Sequence, residues 1–188
     1  MRMRMRELVD SEVLAGAMTG RKTLQALLER IETDPRSPET VYLDFEGIEV
    51  ATASFLRECI LEFRDTVRRR WSNYYPVVAN ADDAIIEELS ILLEPQRDVL
   101  MRCELDDNDM PRHPRLIGAL EPKQQITFDL VRELGEADAG ELMRTANGTE
   151  NVGQTAWNNR LASLSRLGLL MEHSHGRAKR YRPLPLEE

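Results

Sequence analysis

Residues 41–61 read VYLDFEGIEVATASFLRECIL, and the hydrophobic period changes within this stretch. Apolar residues alternate with polar ones from Val41 to Phe45, which predicts a half-buried strand. From Ser54 the apolar residues recur every three or four positions, which predicts an amphipathic helix. Thr52 or Ser54 suits the N-cap, because a hydroxyl there accepts a backbone N–H. A strand that leads through a short loop into a helix is typical of an α/β fold.

Strands and helices alternate on both sides of this stretch. MRMRMRELV (1–9) has a period of two, with Met1, Met3 and Met5 on one face, which predicts a strand rather than a basic nucleic-acid tail. The other predicted elements are a helix from Asp10 or Ser11 through GRKTLQALLERIE (20–32), a strand at YPVVANA (75–81), a helix at DDAIIEELSILLE (82–94) and a last strand at VLMRCEL (99–105). This order predicts a largely parallel or mixed sheet with covering helices.

The block at 41–61, together with the order of elements over residues 1–108, resembles STAS-like domains, relatives of the sulfate-transporter and anti-anti-sigma factor family. In anti-anti-sigma factors the loop before the helix carries a phosphorylatable serine, and its surroundings bind a kinase of the histidine-kinase-like ATPase type. The resemblance therefore implies a protein partner at this domain. Ala53 stands in the place of that serine, with Thr52 and Ser54 beside it. A phosphate on either hydroxyl would be stabilised at the helix N-terminus, and the alternative is that both hydroxyls only cap the helix.

Three carboxylates, Asp44, Glu46 and Glu49, lie close enough in sequence to suggest a divalent cation site. Strand alternation puts only the first two on one face, and no histidine is near them, so we expect solvated charges at a strand end. The sequence has no recognisable nucleophile and base pair, Walker loop or metal cage. We therefore expect no enzymatic activity, no metal and no cofactor.

Composition indicates a protein of the cytoplasm. The chain has 188 residues and a formal net charge of -8, and it contains neither a run of about 18 apolar residues nor a secretory signal. We expect no membrane association. Cys59 and Cys103 lie far apart in apolar segments, which indicates reduced, buried thiols rather than a disulfide or a zinc site.

The charge is distributed unevenly along the chain. Residues 1–118 carry 16 Lys and Arg against 23 Asp and Glu, whereas residues 119–188 carry 9 against 10. Between them, LDDNDMPRHPRLIGALEP contains three prolines, which lack backbone donors and interrupt periodicity. We expect a linker at 111–121 between a STAS-like α/β domain at 1–110 and a second domain at 122–188.

The second domain has the pattern of three helices followed by a hairpin. Ile126, Leu130, Val131 and Leu134 form one helical stripe that ends at Gly135, and Asp138 caps a short second helix. QTAWNNRLASLSRL (154–167) predicts a third helix, and LLMEHS (169–174) with AKRYRPL (178–184) predicts a two-stranded hairpin. We therefore expect a small α+β domain.

RLASLSRLGLL (160–170) and the basic hairpin resemble the winged helix-turn-helix domains of MarR and ArsR family transcriptional regulators, over residues 120–184. The turn between Asn147 and Gln154 is longer than usual for that family. In such domains the third helix enters the major groove and the wing contacts the backbone. The residues expected to contact DNA are Gln154, Thr155, Asn158, Asn159 and Arg160 on the helix and His175, Arg177, Lys179 and Arg180 on the hairpin. For the helix residues, the alternative is a polar face that is only solvated. For the hairpin histidines, the alternative is a metal pair formed by His173 and His175.

We therefore predict a bacterial transcriptional regulator that binds double-stranded DNA. Because the second domain is close to neutral, we expect a homodimer that doubles the contacts with phosphate. The alternative is a protein-interaction module that docks an ATPase kinase or another protein and does not bind DNA.

Overall fold

The computed structural model describes residues 1–31, 33–71, 73–146, 152–175 and 178–184. The chain divides into two compact units, which are Met1–Ala119 and Leu120–Leu184. Each unit is described by itself below.

The first unit is a mixed α/β structure, as the sequence predicted. Its elements are β1 (Arg2–Arg4), α1 (Met5–Val9), β2 (Val13–Leu14), α2 (Ala17–Glu29), β3 (Glu39–Asp44), β4 (Val50–Ala51), α3 (Ala53–Leu56), a π-helical segment (Arg57–Leu61), α4 (Glu62–Arg70), β5 (Tyr74–Ala79), α5 (Asp83–Leu93), a 3-10 turn (Glu94–Gln96), β6 (Val99–Leu105) and β7 (Pro111–Gly118). The five-stranded sheet has the order β1-β3-β5-β6-β7. Its first four strands are parallel and β7 is antiparallel to β6. Separately, β2 and β4 form a short parallel pair.

The long helix that begins after Thr52 packs its apolar stripe into the core. Phe55, Phe63 and Val67 are fully buried. The π-helical segment lies between them, and its Cys59 and Ile60 are buried as well. A wider turn lets neighbouring residues face the same side, which explains why the stripe is broad here.

The predicted N-terminal strand is shorter than expected, since β1 ends at Arg4 and residues 5–9 form α1. Arg4 pairs with Asp44, the last residue of β3, so residues beyond Arg4 have no strand to pair with. The start expected for the next helix, at Asp10 or Ser11, is also wrong, although the helix itself is present as α2. Asp10 instead ends α1 in a left-handed conformation, and α2 begins only at Ala17.

The linker predicted at 111–121 is wrong for most of its length. Residues Pro111–Gly118 form β7, and β6 is therefore not the last strand. Proline is tolerated there because β7 is the edge strand, where a missing backbone N–H costs no ladder hydrogen bond.

The second unit contains α6 (Pro122–Leu134), α7 (Ala139–Thr145), α8 (Gln154–Arg166), β8 (Leu170–His175) and β9 (Ala178–Pro183). The strands β8 and β9 form an antiparallel pair, and Ala137 adds an isolated bridge to Tyr181 of β9. Asp138 and Glu141 form a capping box at the start of α7. Trp157, Leu161 and Leu164 of α8 are fully buried. Of the stripe predicted on α6, Val131 is buried, whereas Ile126 and Leu134 are exposed.

Candidate functional site

The outer face of α8 carries four exposed polar side chains, which are Gln154, Thr155, Asn158 and Asn159. The burial of Trp157 and Leu161 fixes this orientation, because those side chains take the opposite face of the same turns. The helix contains no acidic residue. Its exposed face therefore presents hydrogen-bonding groups without negative charge.

Arg160, predicted on the same face, lies nearer the core. Its Cζ is 4.8 Å from the centroid of the Trp157 ring, and its side chain is partly buried. A guanidinium over an aromatic face is held by a cation–π attraction. The Arg160 side chain thus lies along α8 toward Trp157 and does not extend directly into solvent.

Two of the hairpin cations, Lys179 and Arg180, are neutralised by carboxylates inside the unit. Lys179 Nζ lies 2.6 Å from Glu172 Oε1, and Arg180 Nη2 lies 3.0 Å from Glu141 Oε2. Arg180 also donates from Nε to Glu136, and the hydrogen bonds to Glu136 and Glu141 raise the pKa of Arg180. The guanidinium of Arg180 therefore lies at the first turn of α7 and is paired with carboxylates. It is not the free cation that the prediction of a DNA contact assumed.

Two of the predicted hairpin contacts are not described by the structure. Arg177 lies outside the described residues, and of His175 only the backbone, paired with Ala178, is described. His173 Nε2 lies 3.3 Å from Glu136 Oε2, next to the Arg180 ion pair. Within the described parts of the chain, no group of three His, Cys, Asp or Glu side chains is arranged to hold a metal ion.

The loop before α3 uses Thr52 as its cap. Thr52 Oγ1 accepts hydrogen bonds from Phe55 N at 3.4 Å and from Gly16 N at 3.2 Å, and it lies 3.2 Å from Ser54 Oγ. The hydroxyl of Thr52 therefore performs the capping role and also ties this loop to the residue before α2. Of the two hydroxyls, that of Ser54 has fewer described backbone contacts.

A groove of about 520 Å³ runs beside this loop, between α5 and the chain from β4 to the start of α3. Val50 and Ile91, on opposite walls, are 48% and 57% exposed. Glu49, Glu87 and Glu88 also line it. We name this feature the acidic groove; its full lining is Glu49, Val50, Ala51, Thr52, Ala53, Ala84, Ile85, Glu87, Glu88 and Ile91.

The prediction of a solvated Asp44 is wrong. Asp44 is completely buried, and it accepts hydrogen bonds from Arg2 Nε at 2.7 Å, Asn80 Nδ2 at 2.8 Å and Glu46 N at 3.1 Å. Arg2 also pairs with Glu46 at 2.7 Å and with Asp109. The carboxylates therefore hold the ends of several strands together through Arg2 rather than offering an open cation site.

Both cysteines are free and buried, as predicted. Burial raises the pKa of the Cys59 and Cys103 thiols to about 12. Because only the thiolate is a good nucleophile, these side chains are unreactive near neutral pH.

Part of the first unit is similar to a known protein family. Residues 25–69 match a family described as a STAS-like domain of unknown function (DUF4325). The matched stretch runs from the second half of α2 to the end of α4 and includes Thr52 and Ser54. No curated protein matches the chain. In the described part of the chain, no helix combines the length and apolar character that a membrane crossing needs.

Proposed function

We propose that the second unit is a winged helix-turn-helix domain that binds double-stranded DNA, in a regulator whose STAS-like unit receives a protein signal. The observation that carries this proposal is the exposed face of α8. In a chain with net charge -8, this helix has two arginines and no acidic residue, and its solvent side carries three amides, the hydroxyl of Thr155 and the guanidinium of Arg166. Such side chains suit base edges and phosphates.

The ion pairs of the hairpin modify the predicted interface. Lys179 and Arg180 are engaged by carboxylates, so α8, with exposed Arg166 in its last turn, supplies most of the contact. The proposal includes a homodimer, because residues 119–188 are close to neutral and two copies would double the contacts with phosphate. Ile126 and Leu134, which are exposed on α6, support contact with a second copy there.

Asn159→Asp tests the exposed face of α8, because it adds a negative charge and leaves the size of the side chain unchanged. We expect this variant to weaken binding of a fluorescent 30-base-pair duplex by about fivefold or more, since one lost base or phosphate contact and one added repulsion cost about 1–3 kcal/mol. Anisotropy titrations at several salt concentrations report both affinity and the number of phosphates neutralised. Asn108→Asp, an exposed asparagine in the first unit, is the matched control and should bind like the unmodified chain.

Two results would refute DNA binding. One is the absence of any duplex binding by the unmodified protein at about 50 mM salt, where phosphate contacts are strongest. The other is equal binding by the Asn159→Asp and Asn108→Asp proteins, which would mean that α8 does not face the duplex.

The acidic groove favours a second candidate function, that of a protein-docking module. Its exposed Val50 and Ile91 are apolar side chains with no covering element among the described residues of the first unit. Thr52 lines the groove, and Ser54 follows two residues later in the chain. A photo-crosslinking residue at position 91, with position 18 as the control, would trap a partner in cells. Met18 is a suitable control because it is exposed but does not line the groove. Equal crosslinking from both positions, or none, would count against docking.

A further inference from the structure

The acidic groove combines apolar walls with carboxylates that have no cation of their own. Among the described residues, no Lys, Arg or His forms an ion pair with Glu49, Glu87 or Glu88. Some arginines elsewhere in the first unit do form ion pairs, as Arg21 does with Glu58 and Arg64 with Asp98. The groove therefore places three carboxylates that have no described ion pair beside the exposed side chains of Val50 and Ile91.

One wall of the groove has helical periodicity. Ala84, Glu87, Glu88 and Ile91 of α5 recur at intervals of three and four, and together they form an exposed ridge about 10 Å long. The opposite wall is contributed by β4 and the start of α3. Val50 in β4 is paired in register with Val13 of β2, which is also exposed, so the apolar surface continues beyond the groove.

We propose that the acidic groove binds a basic amphipathic helix of a partner protein. Apolar side chains spaced along one face of that helix would pack between Val50 and Ile91, and lysines or arginines flanking them would pair with Glu49, Glu87 and Glu88. The volume of about 520 Å³ falls within the usual range for binding clefts. This inference rests on the proposed docking function and specifies the chemistry of its partner.

The charge of the first unit favours this occupant over a second copy of the same surface. Residues 1–118 carry 23 acidic against 16 basic side chains, so two such faces would repel each other. An acidic helix would meet the same repulsion. Only a cationic amphipathic segment would be stabilised both by apolar contact with Val50 and Ile91 and by ion pairs with the glutamates of the groove.

A synthetic amphipathic peptide of 18 residues, with leucines on one face and lysines on the other, is the probe. Its binding to the full chain is measured by fluorescence anisotropy beside two controls, a peptide with glutamate in place of lysine and a scrambled peptide. We expect the Lys/Leu peptide to bind most tightly. Ile91→Ser should weaken it by at least about fivefold, as expected for loss of an apolar contact. Glu87→Gln with Glu88→Gln should weaken it by a similar factor at low salt and by less at about 0.5 M salt.

Matched variants separate this site from the rest of the surface. Met18→Ser and Glu62→Gln change an exposed methionine and an exposed glutamate of the same unit outside the groove, and they should leave peptide binding unchanged. Equal binding of the acidic peptide, or no effect of Ile91→Ser, would overturn the inference. If the Lys/Leu peptide fails to bind while crosslinking at position 91 still traps a protein, docking stands and the basic helix is wrong.

Discussion

Replacing Arg2 with methionine tests whether the buried carboxylate organises the sheet. Asp44 is fully buried, and Arg2 contributes its hydrogen bond at 2.7 Å together with the nearest positive charge. Arg2→Met leaves Asp44 with Asn80 Nδ2 and Glu46 N as partners. Removing one partner of a buried ion pair costs about 3–5 kcal/mol, and because two donors remain we expect about 3 kcal/mol.

The assay is urea unfolding followed by circular dichroism, with Arg4→Met as the matched control. Arg4 lies 4.0 Å from Asp44 and is half exposed, so its replacement should cost less than about 1 kcal/mol. Adding Asp44→Asn to Arg2→Met removes the unpaired charge and should recover part of the loss. The reasoning would be refuted if Arg2→Met and Arg4→Met had the same free energy of unfolding.

Three further predictions concern stability. Burial raises the pKa of the Cys59 and Cys103 thiols from 9.0 to about 12, so their contribution to stability is complete below pH 9 and is lost as pH rises toward 12. At about pH 10 we expect urea unfolding to show a loss of roughly 1.4 kcal/mol per thiol, absent from the double Cys→Ala variant. Thr52→Ala should lower the unfolding free energy by about 1 kcal/mol through loss of the helix cap, and Ser54→Ala by less; equal effects would contradict the assigned cap. Gly118→Ala should lower the melting temperature markedly, since Gly118 has φ of 87° and a Cβ would lie 2.4 Å from the Asp98 carbonyl oxygen; an unchanged temperature would contradict this geometry.

Sequence periodicity was sufficient for the elements with a strong local signal. The recurrence of apolar residues every three or four positions from Ser54 identified the long helix, and Phe55, Phe63 and Val67 on its apolar side are buried. The strand β7 was missed because its prolines are local signals against a strand. Its position at the sheet edge, which makes proline acceptable, is a tertiary property that no local pattern reveals.

The candidate sites also combine features that the local sequence predicts with features that depend on the folded chain. The exposed face of α8 could be predicted, because it is the complement of the positions occupied by Trp157 and Leu161. The neutralisation of Arg180 could not, because Glu136 and Glu141 are 44 and 39 residues away in sequence. The acidic groove was also missed, since α5 and β4 meet only in the folded unit.

The π-helical segment Arg57–Leu61 lies between two fixed points of one long helix, the N-cap at one end and a buried arginine at the other. Upstream of it, Thr52 fixes the direction of the loop; downstream, Arg64 is anchored to Asp98 and to the carbonyl oxygen of Val99. A π-turn holds one residue more than an α-helical turn, so deleting one residue from it should restore a regular α-helix and leave Arg64 on its target, whereas inserting a residue would rotate the anchor by about 100°. The wider turn thus accommodates an extra residue between the cap at Thr52 and the anchor at Arg64 while both keep their partners.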